Sequence, residues 1–270
     1  MTAAALETEG LSRRFGGLAA VADVSVSVPE GTVLGVIGPN GAGKSTLINL
    51  ITGHVKPSAG RVRVAGRDLT GQRPWAIAKA RVARTFQIVK PFRELTVREN
   101  VAIGSMFGPD GERGVRRAAA RADEVLERVG LAGKADAPPG DLSVADARRL
   151  ELAKALAMRP RVLLLDEVMA GLRHSEIEPA LALIRSLRDE GLTILAVEHV
   201  MRAIMSISDT VLVMHEGREL VSGPPERVVE DERVIEAYLG QRYAQRTRGE
   251  NGGDGGRDRA AGSGDGDARG

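Results

Sequence analysis

The sequence predicts an α/β fold, a parallel sheet covered by helices and organised around a phosphate-binding loop. Three observations predict it. Gly38-Pro39-Asn40-Gly41-Ala42-Gly43-Lys44-Ser45-Thr46 matches G-x-x-x-x-G-K-[ST]. Arg161 to Leu165 is an apolar-rich run that ends in two carboxylates, Asp166 and Glu167, as expected of a strand covered on both faces. Between residues 161 and 214, apolar strands alternate with an amphipathic helix, the pattern of a parallel sheet.

Each element follows from its residues. Val24-Ser25-Val26-Ser27-Val28 alternates apolar and polar side chains with period two, so the first 30 residues read as β-structure. Pro29-Glu30-Gly31 is a turn. Thr32 to Ile37 reads as a buried strand, and the helix opened by Lys44-Ser45-Thr46 completes the strand–loop–helix context of the motif. The glycines let backbone N–H groups turn inward around a phosphate chain, and the helix N-terminus adds partial positive charge. Lys44 suits the β- and γ-phosphates, and the Ser45 hydroxyl suits Mg²⁺. The chain is therefore expected to bind a nucleoside triphosphate. Arg61-Val62-Arg63-Val64 alternates again and predicts an antiparallel strand pair near the nucleotide. Residues from about 91 to 157 read mainly as helices, with a Gly/Pro-rich loop from Phe107 to Gly114 and a break at Pro138-Pro139-Gly140. Ile177, Leu181, Ile184 and Leu187 recur at helical spacing. Strands follow at Thr193 to Val197 and Thr210 to Met214. From Gln241 to Gly270, nine of 30 residues are Gly and almost none is apolar, so this tail is expected to be disordered.

Composition narrows the classes. Aromatic residues are only 3% of the chain against 43% hydrophobic, so the core must rest on Leu, Val, Ile and Ala. A net charge of +2 argues against a dedicated nucleic-acid surface. The absence of Cys excludes disulfides and thiolate metal sites, and the four His are scattered. No apolar run approaches membrane-spanning length and no signal-peptide pattern opens the chain, so a cytosolic protein is expected, reaching a membrane only through a partner.

Asp166 and Glu167 close their run 122 positions after Lys44, where strand ends of such sheets converge on a ligand crevice. Asp166 is placed to hold Mg²⁺ through water, and Glu167 to polarise an attacking water. With these pieces in order, residues 6–240 resemble the ATP-binding subunits of ABC transporters. The resemblance implies a P-loop NTPase (RecA-like) core with a small antiparallel β subdomain and an inserted α-helical subdomain. The core would occupy about 1–90 and 158–240, and the helical subdomain about 91–157. It further implies that Phe15 stacks on adenine, that Gln87 touches Mg²⁺ and the attacking water, and that His199 donates to the γ-phosphate. Arg14-Phe15-Gly16-Gly17-Leu18, Arg84-Thr85-Phe86-Gln87, Phe92-Arg93-Glu94-Leu95-Thr96-Val97, Glu198-His199 and Ala237-Tyr238-Leu239-Gly240 are similar to branched-chain amino acid importer ATPases. Urea and short-chain amide importers are close relatives. Import of a polar solute is thereby implied, on the cytoplasmic face of the cell membrane. The implied partners are an extracytoplasmic solute-binding protein, two transmembrane permease subunits and a second ATPase subunit.

One motif departs from the family. Where L-S-G-G-Q or L-S-Y-G-Q is expected, the chain has Leu142-Ser143-Val144-Ala145-Asp146. In ABC dimers this segment reaches the γ-phosphate held by the partner. A Cβ at a left-handed position would cost roughly 1–2 kcal/mol. An unscreened carboxylate about 5 Å from a phosphate charge would cost roughly 3 kcal/mol at an effective dielectric constant near 20. Ser143-x-x-Asp146 nevertheless reads as a helix N-cap, so the helix Val144 to Ala157 is expected to start normally. Val168 and Arg173 replace the family's Pro and Asp or Asn. These departures point to a heterodimer with one active and one degenerate site. A non-hydrolysing regulatory subunit is the rival reading. A soluble ABC ATPase acting on ribosomes or DNA is disfavoured, because no second cassette or coiled-coil insertion is visible.

Overall fold

The computed structural model describes residues 4–87 and 90–238. The tail expected to be disordered, 241–270, lies outside them, as do Leu239 and Gly240. In chain order the elements are β1 (Ala4–Phe15), β2 (Leu18–Pro29), β3 (Val33–Ile37), α1 (Lys44–Ile51), β4 (Ala59–Val64), β5 (Arg67–Asp68), α2 (Pro74–Lys79), β6 (Val82–Arg84) and α3 (Val97–Phe107). There follow α4 (Val115–Arg128), α5 (Val144–Ala157), β7 (Val162–Asp166), α6 (His174–Asp189), β8 (Thr193–Val197), α7 (Met201–Met205), β9 (Thr210–His215), β10 (Arg218–Gly223) and α8 (Pro225–Val229).

Two sheets result. An antiparallel sheet has the order β2-β1-β4-β5, and a six-stranded sheet has the order β10-β9-β3-β8-β7-β6. In the second sheet β6, β7, β8, β3 and β9 run parallel, and only the edge strand β10 is antiparallel. The apolar runs of β3, β7 and β8 are buried along their whole length. Their alternate side chains divide between two cores. Leu163, Leu165, Ile194 and Ala196 join the core shared with α4, α5 and α6. Leu164, Leu195 and Val197 join the core shared with α1, β1, β2 and β4. Period-two burial on both faces is what a parallel sheet between two layers requires.

Helices α3, α4 and α5 pack on one another. Thr96 caps α3 by accepting from the Glu99 N–H, while the Glu99 carboxylate accepts from the Thr96 N–H, a reciprocal capping box. Asn100, fully buried, holds the preceding segment by accepting from Phe92 N–H and donating to the Phe92 and Leu95 carbonyls. The helix expected over Val144 to Ala157 has those bounds, and Ser143 caps it by accepting from Asp146 N–H.

Candidate nucleotide site

The site lies at the C-terminal ends of four parallel strands. The phosphate-binding loop follows β3, Gln87 follows β6, Glu167 follows β7, and His199 follows β8. This is the crevice where open α/β sheets bind ligands. Loop geometry depends on two glycines. Gly38 has φ 151°, and a Cβ there would lie 2.2 Å from the Met214 carbonyl oxygen. Gly43 has φ 100°, and a Cβ there would lie 2.3 Å from the Ala20 carbonyl oxygen. Only glycine lets the loop pass this close to its neighbours.

Asn40, Gly41, Ala42, Gly43, Lys44, Ser45 and Thr46 line a cleft of about 640 Å³ together with Glu167 and His199. The opposite wall is Leu18, Ala19, Ala20, Glu216 and Gly217. Gly38 and Pro39 are buried beneath the loop, and their carbonyls accept from the Lys44 ammonium at 2.7 and 3.0 Å. Burial lowers the Lys44 pKa, opposed by the carboxylates of Glu167 and Asp166. The two carbonyls hold the amine in the cleft lining, where a phosphate chain would favour its charged form.

Gln87, Glu167 and His199 meet on one carboxylate. Gln87 Nε2 donates to Glu167 Oε2 at 2.6 Å. His199 Nε2 lies 2.5 Å from Glu167 Oε1, so Nε2 carries the proton when the carboxylate is ionised. Glu167 itself has φ 52°, a left-handed backbone uncommon for a side-chain-bearing residue. Its N–H donates to the Val197 carbonyl at 2.9 Å, which holds that conformation and ties β7's exit to β8's. Strain of this kind concentrates at functional sites.

Asp166 is 3% exposed, and its Oδ2 accepts from Arg84 at 2.8 Å. The same guanidinium donates to Asn49 Oδ1 in α1 at 2.7 Å and sits 5.2 Å from the Phe86 ring centroid. Arg84 therefore links α1, β6 and β7 behind the cleft. Arg148 in α5 donates to the Gln87 carbonyl at 2.5 Å, joining the helix that starts at the altered signature to the loop carrying Gln87. Tyr238 packs on the core, and burial raises its pKa. Arg84, Arg148 and Tyr238 were given no roles by sequence reasoning, although Arg84 and Tyr238 stand inside the stretches that carried the resemblance.

Phe15 is not brought into the cleft lining. It lies at the end of β1, 47% exposed, with the Arg13 guanidinium 4.6 Å from its ring centroid. Leu18, 70% exposed, is the apolar side chain of that hairpin on the cleft wall.

The altered signature differs in detail from its expected costs. Ala145 lies in the first turn of α5 and is not among the positive-φ residues, so no left-handed penalty arises. Asp146 folds back onto its own subdomain. Its Oδ2 accepts from Lys134 Nζ at 2.5 Å and Ser143 Oγ at 2.8 Å, and Arg149 lies 3.6 Å from Oδ1. Burial opposes its ionisation, but these partners outweigh burial and lower its pKa. Its charge is therefore compensated internally, and the repulsion of roughly 3 kcal/mol expected for an unpaired carboxylate is an upper bound. Val144 is 61% exposed.

The lining fits a nucleoside triphosphate: a glycine loop opening onto the N-terminus of α1, with a buried ammonium beneath it. Among the described residues no cluster of three His, Cys, Asp or Glu side chains could hold a metal alone. A Mg²⁺ ion held by one carboxylate plus phosphate and water oxygens is compatible with that set.

Comparison with known proteins agrees with this geometry. The ABC transporter family profile matches residues 21–170, and that of the branched-chain amino acid ATP-binding cassette transporters matches 218–244. The chain is 41% identical over 249 residues to the high-affinity branched-chain amino acid transport ATP-binding protein BraF of Pseudomonas aeruginosa, covering 87% of this chain and 98% of that protein. It is 39% identical, with the same coverage, to LivG of Escherichia coli. Among solved structures, the ADP conformation of MJ1267, an ATP-binding cassette of an ABC transporter, superposes with a TM-score of 0.80 at 32% identity. That match covers 88% of this chain and 100% of the other. Motif, strand-end geometry and relatedness agree: the chain belongs to the ABC transporter family, as one of its ATP-binding cassettes.

Proposed function

We propose that the chain is the ATP-hydrolysing, energy-coupling subunit of an importer for branched-chain amino acids or a related polar solute. The observation that carries this reading is the single carboxylate of Glu167, gripped by Gln87 and His199 at the mouth of the phosphate-binding loop. Glu167 orients and deprotonates the attacking water as general base, and the His199 Nε2–H that meets this carboxylate turns to the γ-phosphate when ATP is bound. Gln87 monitors the same position and passes it to α5 through Arg148. Lys44, with the backbone N–H groups that open α1, binds the phosphates. Leu18 on the cleft wall, with Phe15 paired beside it at the end of the hairpin, supplies an apolar face for the base. Mg²⁺, held by Ser45 and, through water, by Asp166 with Gln87 beside it, would neutralise charge on the phosphates. The chain works at the cytoplasmic face of the membrane through two permease subunits fed by an extracytoplasmic binding protein. Among the described residues no helix is long and apolar enough to cross a membrane.

The second ATPase subunit of the assembly is a different chain. Val144, Ala145 and Asp146 supply the partner's site with a weakened signature, whereas this chain's own site is complete. The internal pairing of Asp146 makes that weakness one of lost glycine contacts more than of repulsion. ATP turnover of this chain, alone and mixed with its co-encoded ATPase, tests the assignment. Turnover in the mixture that is abolished by Glu167→Gln supports it. Robust hydrolysis by the homodimer would sink the heterodimer, and equal rates for Glu167→Gln and wild type would reject the role of Glu167.

A further inference from the structure

Glu198 follows β8 directly and is 2% exposed. Its Oε1 accepts from Met169 N–H at 2.9 Å, and its carboxyl also faces the backbone N–H of His199. Met169 lies two residues beyond Glu167. The segments leaving β7 and β8 are therefore joined twice, once through Glu167 N–H to the Val197 carbonyl and once through the Glu198 side chain. The two links bracket the pair whose side chains meet in the cleft, Glu167 and His199.

We propose that Glu198 is a positioning residue for hydrolysis, whose buried carboxyl locks the segment carrying Glu167 to the segment carrying His199. The inference rests on the roles given above to those two residues. Met169 N–H is a buried donor with Glu198 as its partner, so removing the acceptor frees both the amide and the turn that presents Glu167. The charges facing Glu198 are Glu167, which disfavours its ionisation, and Arg148 of α5, which favours it. Arg148 is also the cation that holds the Gln87 carbonyl. Ionised Glu198 thus strengthens the hold on Met169 and draws Arg148 toward the cleft, while protonated Glu198 keeps only a weaker acceptor. Burial, opposed by the Met169 N–H and reinforced by Glu167, pushes its pKa up to about 7, so the switch between the two forms falls in the working range of the assay.

The test uses the transporter assembled from this chain and its co-encoded subunits in lipid nanodiscs. ATP turnover is measured from pH 6 to 8.5 for wild type, Glu198→Gln, Glu198→Ala and Glu167→Gln. Wild-type kcat is expected to rise through about pH 7. In Glu198→Gln, which keeps an acceptor but no charge, that limb is expected to flatten, with kcat at pH 8 lowered roughly tenfold and KM for ATP little changed. Glu198→Ala is expected to lower kcat roughly a hundredfold and to lose hydrogen-exchange protection at the Met169 amide. A Glu198→Gln profile that overlays wild type, or full protection of Met169 in Glu198→Ala, overturns the inference. Undiminished turnover in Glu167→Gln would instead overturn the reading of the site on which it rests.

Discussion

Replacing Glu198 by Gln should make the fold more stable at neutral pH, by an amount that grows between pH 4.5 and 7. The carboxyl is 2% exposed, and its pKa is raised from the ordinary 4.5 to about 7. Between those values the folded chain keeps a proton that the unfolded chain releases. Stability therefore falls as pH rises through this window, the reverse of a salt-bridged carboxylate. At 1.36 kcal/mol per pH unit, the ionised form above pH 7 carries a cost of about 3 kcal/mol. Glutamine has nearly the same shape, accepts from Met169 N–H, and does not titrate. The difference in unfolding free energy, Glu198→Gln minus wild type, should thus increase by about 3 kcal/mol from pH 4.5 to pH 7.5. Urea denaturation of both proteins at a series of pH values, at fixed ionic strength, measures it. A difference independent of pH would show that Glu198 ionises as an exposed carboxyl does, and would refute the reasoning from burial.

Three further outcomes follow from the described contacts. Lys44→Ala should weaken nucleotide binding by at least about tenfold, since charged hydrogen bonds contribute roughly 1.5–3 kcal/mol; isothermal titration reads this directly. Arg84→Ala should lower unfolding free energy by about 3 kcal/mol or more, because it leaves Asp166 buried without its cation, whereas loss of a largely exposed pair such as Arg117 with Glu112 should cost under about 1 kcal/mol. Ser143→Ala should cost about 1 kcal/mol by removing the acceptor for Asp146 N–H, seen as a lower midpoint in denaturant with unchanged slope.

Much of this architecture is legible in the chain because its signals are local. The β3–loop–α1 unit needs only one strand, three glycines and one helix start. Val144 to Ala157 declares its start through the Ser143-x-x-Asp146 cap. Asp166 and Glu167 are marked by the apolar run they end. What is not legible depends on where side chains turn. Asp146 reads as a charge offered to a neighbouring subunit, yet Lys134, twelve residues earlier, draws it back. Phe15 reads as part of a binding face, but strand pairing leaves it outside the cleft lining and puts Leu18 there. Arg84 and Arg148 carry no periodicity that distinguishes them from other arginines, and their importance appears only once β6 lies beside β7 and α5 beside the Gln87 loop.

The strand order carries a consequence for how the protein is made. β3 and β7, which deliver Lys44 and Glu167, are never neighbours; β8 lies between them and pairs with both. During vectorial synthesis the ribosome releases β3 and β7 well before β8. Until residues 193–197 emerge, the lysine and the glutamate have no shared frame. A nascent chain stopped before β8 would hold both motifs in its sequence and no competent crevice in space. Insertion of this late, wholly buried strand joins β3 to β7 and gives Lys44 and Glu167 one frame, while the far wall at Glu216 and Gly217 follows later still, so a nascent chain gains its nucleotide crevice only near the end of synthesis.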